Sequence, residues 1–379
     1  MAKNSSKFPV LIKCFTFNHA DFIEETMNGF TMQQTNFPYV CSIVDDASTD
    51  GEPKLIKNYI QKNFDLEDVP IVKKYINDNY EFIFARHKTN QNCFFSVYLL
   101  KYNHHSMRKP KNPYLLKWMD NAKYIAICEG DDYWTDQQKL QQQYNYMDSH
   151  PKCTMTCHRA KLLSEKKKKY IGEQYCRDSD GELNPVDIIN RTGLYIPTCS
   201  IMFRPEIKNN YPDYCHNCNV GDYPLQITAA MKGYVYYFNR IMGVYRIENS
   251  NSWVGKQDFN SVNPARLHVV KAQMEMFKGF SKDYPQYEKI FNSKIMEHIC
   301  RNMPNHKCKK EDIKKYMNIF SNEISTFSFK GKFLLWVGQL KVPLLVFYFR
   351  KIMFGTYFHK RKFYEGFVVR FFNKVTSRC

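Results

Sequence analysis

The first 150 residues alternate between short apolar runs and amphipathic stretches. Phe8 to Phe17 is apolar with partial alternation and predicts a strand. Phe22 to Met32 has helical spacing. Tyr39 to Val44 predicts a second strand, ending at Asp45-Asp46. Pro53 to Phe64 fits a helix with proline in its first turn. Glu81 to Ala85 predicts a third strand, ending at Arg86-His87, and Asn92 to Asn103 reads as a helix. Lys123 to Cys128 predicts a fourth strand, ending at Glu129 to Asp132. Thr135, with Gln138 three residues on, has the form of a capping box for a helix whose apolar face is Leu140, Tyr144 and Met147.

Strands alternating with helices imply an α/β layer with a mostly parallel sheet. Asn18, Asp45-Asp46, Arg86-His87 and Glu129 to Asp132 each follow the last apolar residue of a strand. In open α/β sheets, ligands bind outside the carboxyl ends of the strands, so one shared edge is the expected site. Beyond residue 150, Lys152 to Leu163, Ile196 to Phe203 and Tyr234 to Ile247 predict strands. Lys166 to Lys169 reads as a solvated loop, and Gly221 to Lys232 as a helix that begins at Asp222. Ala265 to about Ile324 reads as helices, and no internal repeat is visible.

Composition narrows the class. The chain has 379 residues, 44% hydrophobic and 24% charged, which fits a globular protein with a large core. The net charge of +18 calls for an anionic partner. More than half of that excess lies in residues 330–379, where eleven Lys or Arg face one acid, Glu365, among many Phe, Leu, Tyr and Trp. Basic and aromatic residues interleaved in this way suit the headgroup layer of an anionic leaflet; the alternative is a helical subdomain with a basic face. No nucleic-acid module is recognisable, so nucleic acid is not the expected partner. No run of about 18 apolar residues is present to predict a spanning helix, and Met1 to Pro9 has no apolar region of secretory type. Of the 13 cysteines, the Cys215/Cys218 and Cys153/Cys157 pairs lack a matching second half at zinc-site spacing. They read as free thiols in a reducing cytosol.

The candidate chemistry lies at the predicted edge. Glu129-Gly130-Asp131-Asp132-Tyr133-Trp134 puts three carboxylates within four residues, a cluster that a hard cation tolerates well; a solvated acidic turn is the alternative. Val44-Asp45-Asp46 is either a turn former or an acceptor for the N–H of a nucleotide base. Phe17 either stacks on such a base or packs in the core. Asp222 at a helix start reads as an N-cap that stays ionised.

The run "VLIKCFTFNHADFIEETMNGFTMQQTNFPYVCSIVDDASTDG", then "KYIAICEGDDYWTDQQKLQQQ", "IPTCSIMFR", "VGDYPLQITAAMKG" and "YRIENSNSW", resembles glycosyltransferase family 2, the inverting nucleotide-sugar transferases of GT-A fold, most of all bacterial surface-polysaccharide enzymes. The resemblance covers about Phe8 to Trp253. It implies a Rossmann-like, mostly parallel central sheet with a C-terminal helical extension. The expected divisions are a transferase domain over 1–255, a helical subdomain over 256–328 and a membrane-interface tail over 329–379.

The resemblance also implies site roles. Asp46, with Asp45 beside it, contacts the nucleotide base, and Phe17 stands where relatives have Tyr. Asp131 and Asp132 hold the ribose–diphosphate and a Mn²⁺ or Mg²⁺ ion, with Asp132 the main ligand. Asp222 is the catalytic base. Trp134, Thr198, Ser200, Tyr223 and Arg246 fall on donor or acceptor positions. This chain departs from relatives at several places. Glu129 stands for Asp, and Glu248, the candidate third ligand of the cation, stands where a metal-binding His often lies. The segment between Asn90 and Lys123 is long, with a His104-His105 and Arg108 to Lys111 cluster that reads as a solvated loop, the rim of an acceptor site being the alternative. Arg246 suits either a diphosphate contact or a structural ion pair.

The implied activity is metal-dependent transfer of a sugar, with UDP as the default carrier, to a hydroxyl of a glycan or polyprenyl-diphosphate-linked acceptor. The implied place is the inner face of the cytoplasmic membrane. The rival expectations are a nucleotidyltransferase on a related sheet and a catalytically silent glycan- or membrane-binding protein.

Overall fold

The computed structural model describes residues 8–67, 73–191, 195–218, 221–248, 264–302, 310–327 and 332. Its strands are β1 (Val10–Thr16), β2 (Tyr39–Asp45), β3 (Phe64–Asp65), β4 (Lys73–Ile76), β5 (Tyr80–His87), β6 (Cys93–Leu100), β7 (Tyr124–Ile127), β8 (Tyr133–Trp134), β9 (Cys153–Ser164), β10 (Lys169–Gln174), β11 (Gly181–Glu182), β12 (Met202–Phe203) and β13 (Tyr234–Ile247). They form one sheet of order β11-β13-β9-β12-β7-β1-β2-β6-β5-β3, with β10 on β9, β4 on β5 and β8 on β13. The centre, β7-β1-β2-β6, is parallel. So is the β9–β13 pair, while β12 joins it to β7 in the antiparallel sense.

The helices are α1 (Ile23–Thr31), α2 (Glu52–Asn63), α3 (Leu116–Met119), α4 (Lys139–Ser149), α5 (Pro185–Arg191), α6 (Glu206–Asn209), α7 (Asp213–His216), α8 (Asp222–Lys232), α9 (Pro264–Asp283), α10 (Glu288–Arg301), α11 (Lys310–Ile319) and α12 (Ser321–Ser325). Two compact units result, one of residues 1–183, 193–210 and 228–251, the other of 184–192, 211–227 and 252–379.

Four expectations are corrected. Asn92 to Asn103 holds the strand β6, not a helix: all eight side chains from Cys93 to Leu100 are buried, so no alternation marks it. β5 runs antiparallel to β6, with Arg86 opposite Phe94, and Phe94 lies beside Val40. Arg86-His87 therefore sits at the amino edge of the central strands, away from the acidic turns. Thr135 caps nothing; α4 starts at Lys139, and the Gln138 amide donates to Asp136 Oδ1 at 2.8 Å. Ile196 to Phe203 is mostly a loop, a 3-10 turn at Thr198–Ser200 followed by the two-residue β12.

In the first unit, alternate residues of the central strands build two cores. Val10, Ile12 and Cys14 of β1 pack with Ile23, Met27 and Phe30 of α1 and with Ile56 and Ile60 of α2. On the other face, Phe8, Phe84, Phe94 and Trp118 form an aromatic cluster, with ring centroids of Phe8 and Phe94 4.9 Å apart. Edge-to-face rings of this kind add to their burial.

In the second unit, α9 and α10 pack through Phe277, Phe280 and Phe291. Tyr316 of α11 donates to the Ile299 carbonyl at 3.0 Å. The eleven cysteines among the described residues are all free; ten are buried and Cys218 is half-buried.

One contact of α1 positions the site. Thr26 Oγ1 donates to the carbonyls of Gly130 (3.0 Å) and Asp132 (2.7 Å). One turn on, Gly29 lies so close to β8 that an added Cβ would sit 2.8 Å from the Trp134 backbone nitrogen. Gly29→Ala improves helix propensity yet forces the helix off the strand. It is expected to destabilise the protein by about 1–3 kcal/mol, measured by urea unfolding; an unchanged or raised midpoint contradicts the clamp.

Candidate active site

Three turns leave the carboxyl ends of the parallel strands β1, β2 and β7, and they are tied together. Asn18, after β1, takes the left-handed conformation (φ 56°), which asparagine tolerates. Its N–H donates to Ser48 Oγ at 2.8 Å, and its Oδ1 accepts from the Thr49 amide at 2.8 Å. The Ala20 amide donates to Asp50 Oδ2. Glu52, fully buried at the start of α2, gathers the Thr16 hydroxyl, the His19 amide and the Ser48 hydroxyl. Burial raises its pKa, and those hydrogen bonds oppose the rise.

The third turn is pressed against the first. A Cβ on Gly130 would lie 2.1 Å from Thr16 Oγ1, so only glycine fits there. Glu129 Oε2 accepts the Phe15 amide at 3.1 Å, with Lys13 Nζ 4.0 Å from the other oxygen. His19 Nε2 lies 3.8 Å from Asp131 Oδ2. Asp132 is 2% exposed, and its Oδ1 accepts the Arg246 amide at 2.8 Å. Burial first, then the neighbouring Asp131, pushes its pKa well up, against the pull of Arg246.

Arg246 is the counterweight. Its Nε donates to Glu165 at 2.9 Å, one terminal nitrogen to the Asp131 carbonyl at 2.6 Å, and the other to Glu25. The guanidinium lies over the rings of Phe22 and Tyr133. Of the two roles open for Arg246, the geometry supplies the structural ion pair.

The adjacent acids at the carboxyl end of β2 have opposite fates. Asp46 is fully buried and saturated: its carboxylate accepts the His104 amide (2.6 Å), the His105 amide (3.1 Å) and Lys111 Nζ (3.0 Å). The basic segment after β6 thus folds onto Asp46. Tyr114 bonds His104 at 3.0 Å, and Lys111 sits 5.1 Å from the Phe15 ring centroid. Asp45 Oδ2 accepts the Ser48 amide at 3.2 Å, and its Oδ1 is buried without a partner. Burial lifts its pKa to about 6.

The remaining sequence candidates are placed as follows. Phe17 is half-buried at the end of β1. Trp134 is 1% exposed; its indole N–H donates to the Cys199 carbonyl at 2.7 Å, and Lys139 Nζ lies 3.9 Å over its ring. It supports the acidic turn from below. Lys139 is itself buried, bonded to Gln143 at 2.7 Å, and burial lowers its pKa to about 7. Ser200 is buried and donates to the Pro197 carbonyl; Thr198 is half-buried beside it. Glu248, just past β13, is exposed with φ 59° and accepts from the Ser164 hydroxyl.

Asp222 and Tyr223 belong to the second unit. Asp222 is half-buried as the first residue of α8, with the Tyr223 amide 2.8 Å from its Oδ1. Tyr223 is buried and donates to the Ile189 carbonyl at 2.6 Å.

Among the described residues, no three His, Cys, Asp or Glu side chains are grouped as a metal-ligand set. A cation carried with a diphosphate needs only one or two protein carboxylates. Asp131 and Asp132 supply that kind of donor: adjacent hard oxygens, one on a carboxylate whose charge burial disfavours.

Sequence reasoning missed Glu52, Glu25, Glu165 and Lys139. Their partners lie far along the chain, and nothing local marks them.

No known family's profile matches the chain. Rv1520 of Mycobacterium tuberculosis and Mb1547 of Mycobacterium bovis, both uncharacterized proteins, are 27% identical over 248 residues. That match spans 64% of this chain and 60% of those relatives' length. In shape, S. aureus TarS 1–349, solved in complex with UDP, superposes with a TM-score of 0.57 at 14% identity, covering 91% of this chain and 90% of that one. A longer S. aureus TarS structure gives 0.56 at 13% identity, covering 91% and 55%. These likenesses establish the fold: a GT-A-class architecture, with a mostly parallel central sheet, flanking helices and a helical C-terminal region.

Asp45 yields a pH prediction. An acid whose folded pKa lies above its unfolded value is better protonated when folded. Stability therefore falls as pH rises from about 4 to 6, and the cost is complete above 6. Asp45→Asn is expected to raise stability at pH 7.5 by about 2–3 kcal/mol, with the gain shrinking toward pH 4. Thermal unfolding at both pH values checks it; an equal effect at both denies the buried charge.

Proposed function

We propose that the protein is a metal-dependent, inverting glycosyltransferase. It moves a sugar from a nucleoside diphosphate, UDP by default, to a hydroxyl of a glycan or lipid-linked acceptor in surface-polysaccharide synthesis. The observation that carries this is the meeting of the Asp45-Asp46 and Glu129 to Asp132 turns at one edge of a GT-A-class sheet. The fold shared with TarS, a protein solved with UDP, supports the choice of donor.

Asp131 and Asp132 would hold Mn²⁺ or Mg²⁺, which when bound offsets the charge of the leaving diphosphate. The chain's own groups do the rest. Arg246 fixes the Asp131 carbonyl and the Asp132 carboxylate, so the acidic turn does not reorganise when charge develops beside it. Asp222 takes the acceptor proton. As that oxygen attacks the anomeric carbon from the face opposite the diphosphate, a C–O bond forms and the sugar–phosphate C–O bond breaks. The electron pair leaves with the diphosphate, and the proton ends on Asp222. The helix start and the Tyr223 amide favour the ionised, accepting form of this carboxylate.

Two variants separate the roles. Asp132→Ala is expected to lower UDP-sugar hydrolysis with Mn²⁺ about 10²-fold or more. Asp222→Asn is expected to keep UDP affinity while transfer falls about 10²–10⁴-fold. Calorimetric UDP titration and product assays check both. Equal loss of binding and transfer in Asp222→Asn contradicts the base role, and a wild-type chain that binds no nucleotide sugar favours a silent fold.

Residues 329–379, apart from Lys332, lie outside the described residues. Their charge and aromatic content support docking on an anionic cytoplasmic leaflet. Removing 330–379 is expected to abolish sedimentation with phosphatidylserine vesicles while the melting temperature of the remainder holds. Unchanged sedimentation refutes the docking.

A further inference from the structure

The acidic turn has a basic neighbour that the mechanism leaves unused. β9 and β10 form an antiparallel arm, joined by the turn from Glu165 to Lys168. Lys166, Lys167, Lys168 and Lys169 follow one another there, all exposed, and Lys161 is exposed on β9. The one acid of the turn is already shared: Glu165 pairs with Lys168 at 2.7 Å and with Arg246 at 2.9 Å. Among the described residues, no ion pair holds Lys166, Lys167 or Lys169. Ammonium groups gathered in this way repel one another, and an anion from outside relieves the repulsion.

A turn of lysines on a bare surface would be only a solvated face, but this one is fixed beside the acids. Tyr170 of β10 lies opposite Leu163 of β9, and Leu163 lies opposite Arg246 of β13. The Arg246 guanidinium that donates to Glu165 also donates to the Asp131 carbonyl, at 2.6 Å. A single guanidinium thus separates the lysine turn from the acidic turn. A second tie runs through the phenols of Tyr170 and Tyr133, which hydrogen-bond at 3.0 Å, and Tyr133 directly follows Asp132. Tyr170 is 53% exposed, with Lys161 Nζ 5.2 Å from its ring centroid. All of these residues belong to the first unit.

We propose that the β9–β10 arm binds an anionic acceptor, a glycan or polyol chain that carries phosphodiester or carboxylate groups. Its charges meet Lys161, Lys166, Lys167 and Lys169, and one sugar or polyol unit lies on the exposed Tyr170 ring. This rests on the transferase reading and names the acceptor class within it. A neutral chain needs no such arm. An anionic chain drawn toward Asp131 and Asp132 is repelled by them, and the lysines offset that repulsion where the chain arrives.

The test reads each arm lysine separately in the full chain, so that binding at residues 330–379 does not enter. Lysine acetylation is followed by mass spectrometry with oligogalacturonate, polyphosphate or uncharged maltohexaose present. At least one polyanion is expected to protect Lys161, Lys166, Lys167 and Lys169, less so as salt rises, and maltohexaose is not. Protection by oligogalacturonate alone assigns carboxylates on a sugar, and protection by polyphosphate alone assigns phosphates. With Lys166→Gln, Lys167→Gln and Lys169→Gln combined, protecting Lys161 is expected to need about tenfold more polyanion, at unchanged UDP affinity and melting temperature. Tyr170→Ser is expected to act in the same direction on oligogalacturonate. The proposal is overturned if neither polyanion protects the arm, if maltohexaose protects it equally, or if Lys161 responds alike in the triple variant. It is also overturned if phosphatidylserine vesicles protect the arm where both polyanions fail, or if the triple variant loses UDP affinity. UDP binding with an unprotected arm leaves the transferase reading standing. Arm protection in a chain that binds no nucleotide sugar overturns that reading and leaves a polyanion-binding surface.

Discussion

Negative charge crowded at one sheet edge is the constraint that the first unit is built around. Asp45, Asp46, Glu52, Glu129, Asp131 and Asp132 all lie on turns that follow or adjoin the central strands, and four of the six are almost wholly buried. Buried carboxylates are costly unless paired or hydrogen-bonded. Each is answered differently: Asp46 by two amides and a lysine, Glu52 by hydroxyls and an amide, Asp132 through the strand that carries Arg246. Arg246 is neutralised in turn by Glu25 and Glu165, so acids from α1 and the β9–β10 turn hold the cation that holds the acidic turn. Of these six, Asp45 alone keeps a buried oxygen without a partner, and burial lifts its pKa to about 6.

Much of this was legible in the chain. β1, α1, β2, α2, β7, β9, β13 and α8 lie where the apolar periodicity and the turn residues put them. The acidic turns follow β2 and β7 at the shared edge because those strands are parallel. Two failures have one cause. β6 is buried on both faces and lacks the alternation that marks a strand. With β6 misjudged, the direction of β5 was lost, and Arg86-His87 was assigned to the wrong edge. Charge pairing was illegible for a different reason. Arg246 and Glu25 are 221 residues apart, and Asp46 and Lys111 are 65 apart. Nothing local marks the basic segment after β6 for this role, yet its Lys111 neutralises Asp46.

The distribution of orphans differs between the two units. In the first, the unmatched oxygen of Asp45 sits within a lattice of turn hydrogen bonds that leaves it little freedom. In the second, the Gln226 amide on α8 and the Tyr211 phenol are buried without partners.

The thiols carry a last consequence. Burial raises the pKa of Cys14, Cys41, Cys128, Cys157 and Cys199 well above the ordinary value, so they stay protonated and behave as compact hydrocarbons. Even half-buried Cys218 is held at about 11. Electrophiles and oxidants attack thiolates, so these sulfurs are chemically quiet. Among the described residues the cysteines are free thiols, and ten of the eleven are buried as part of the packing.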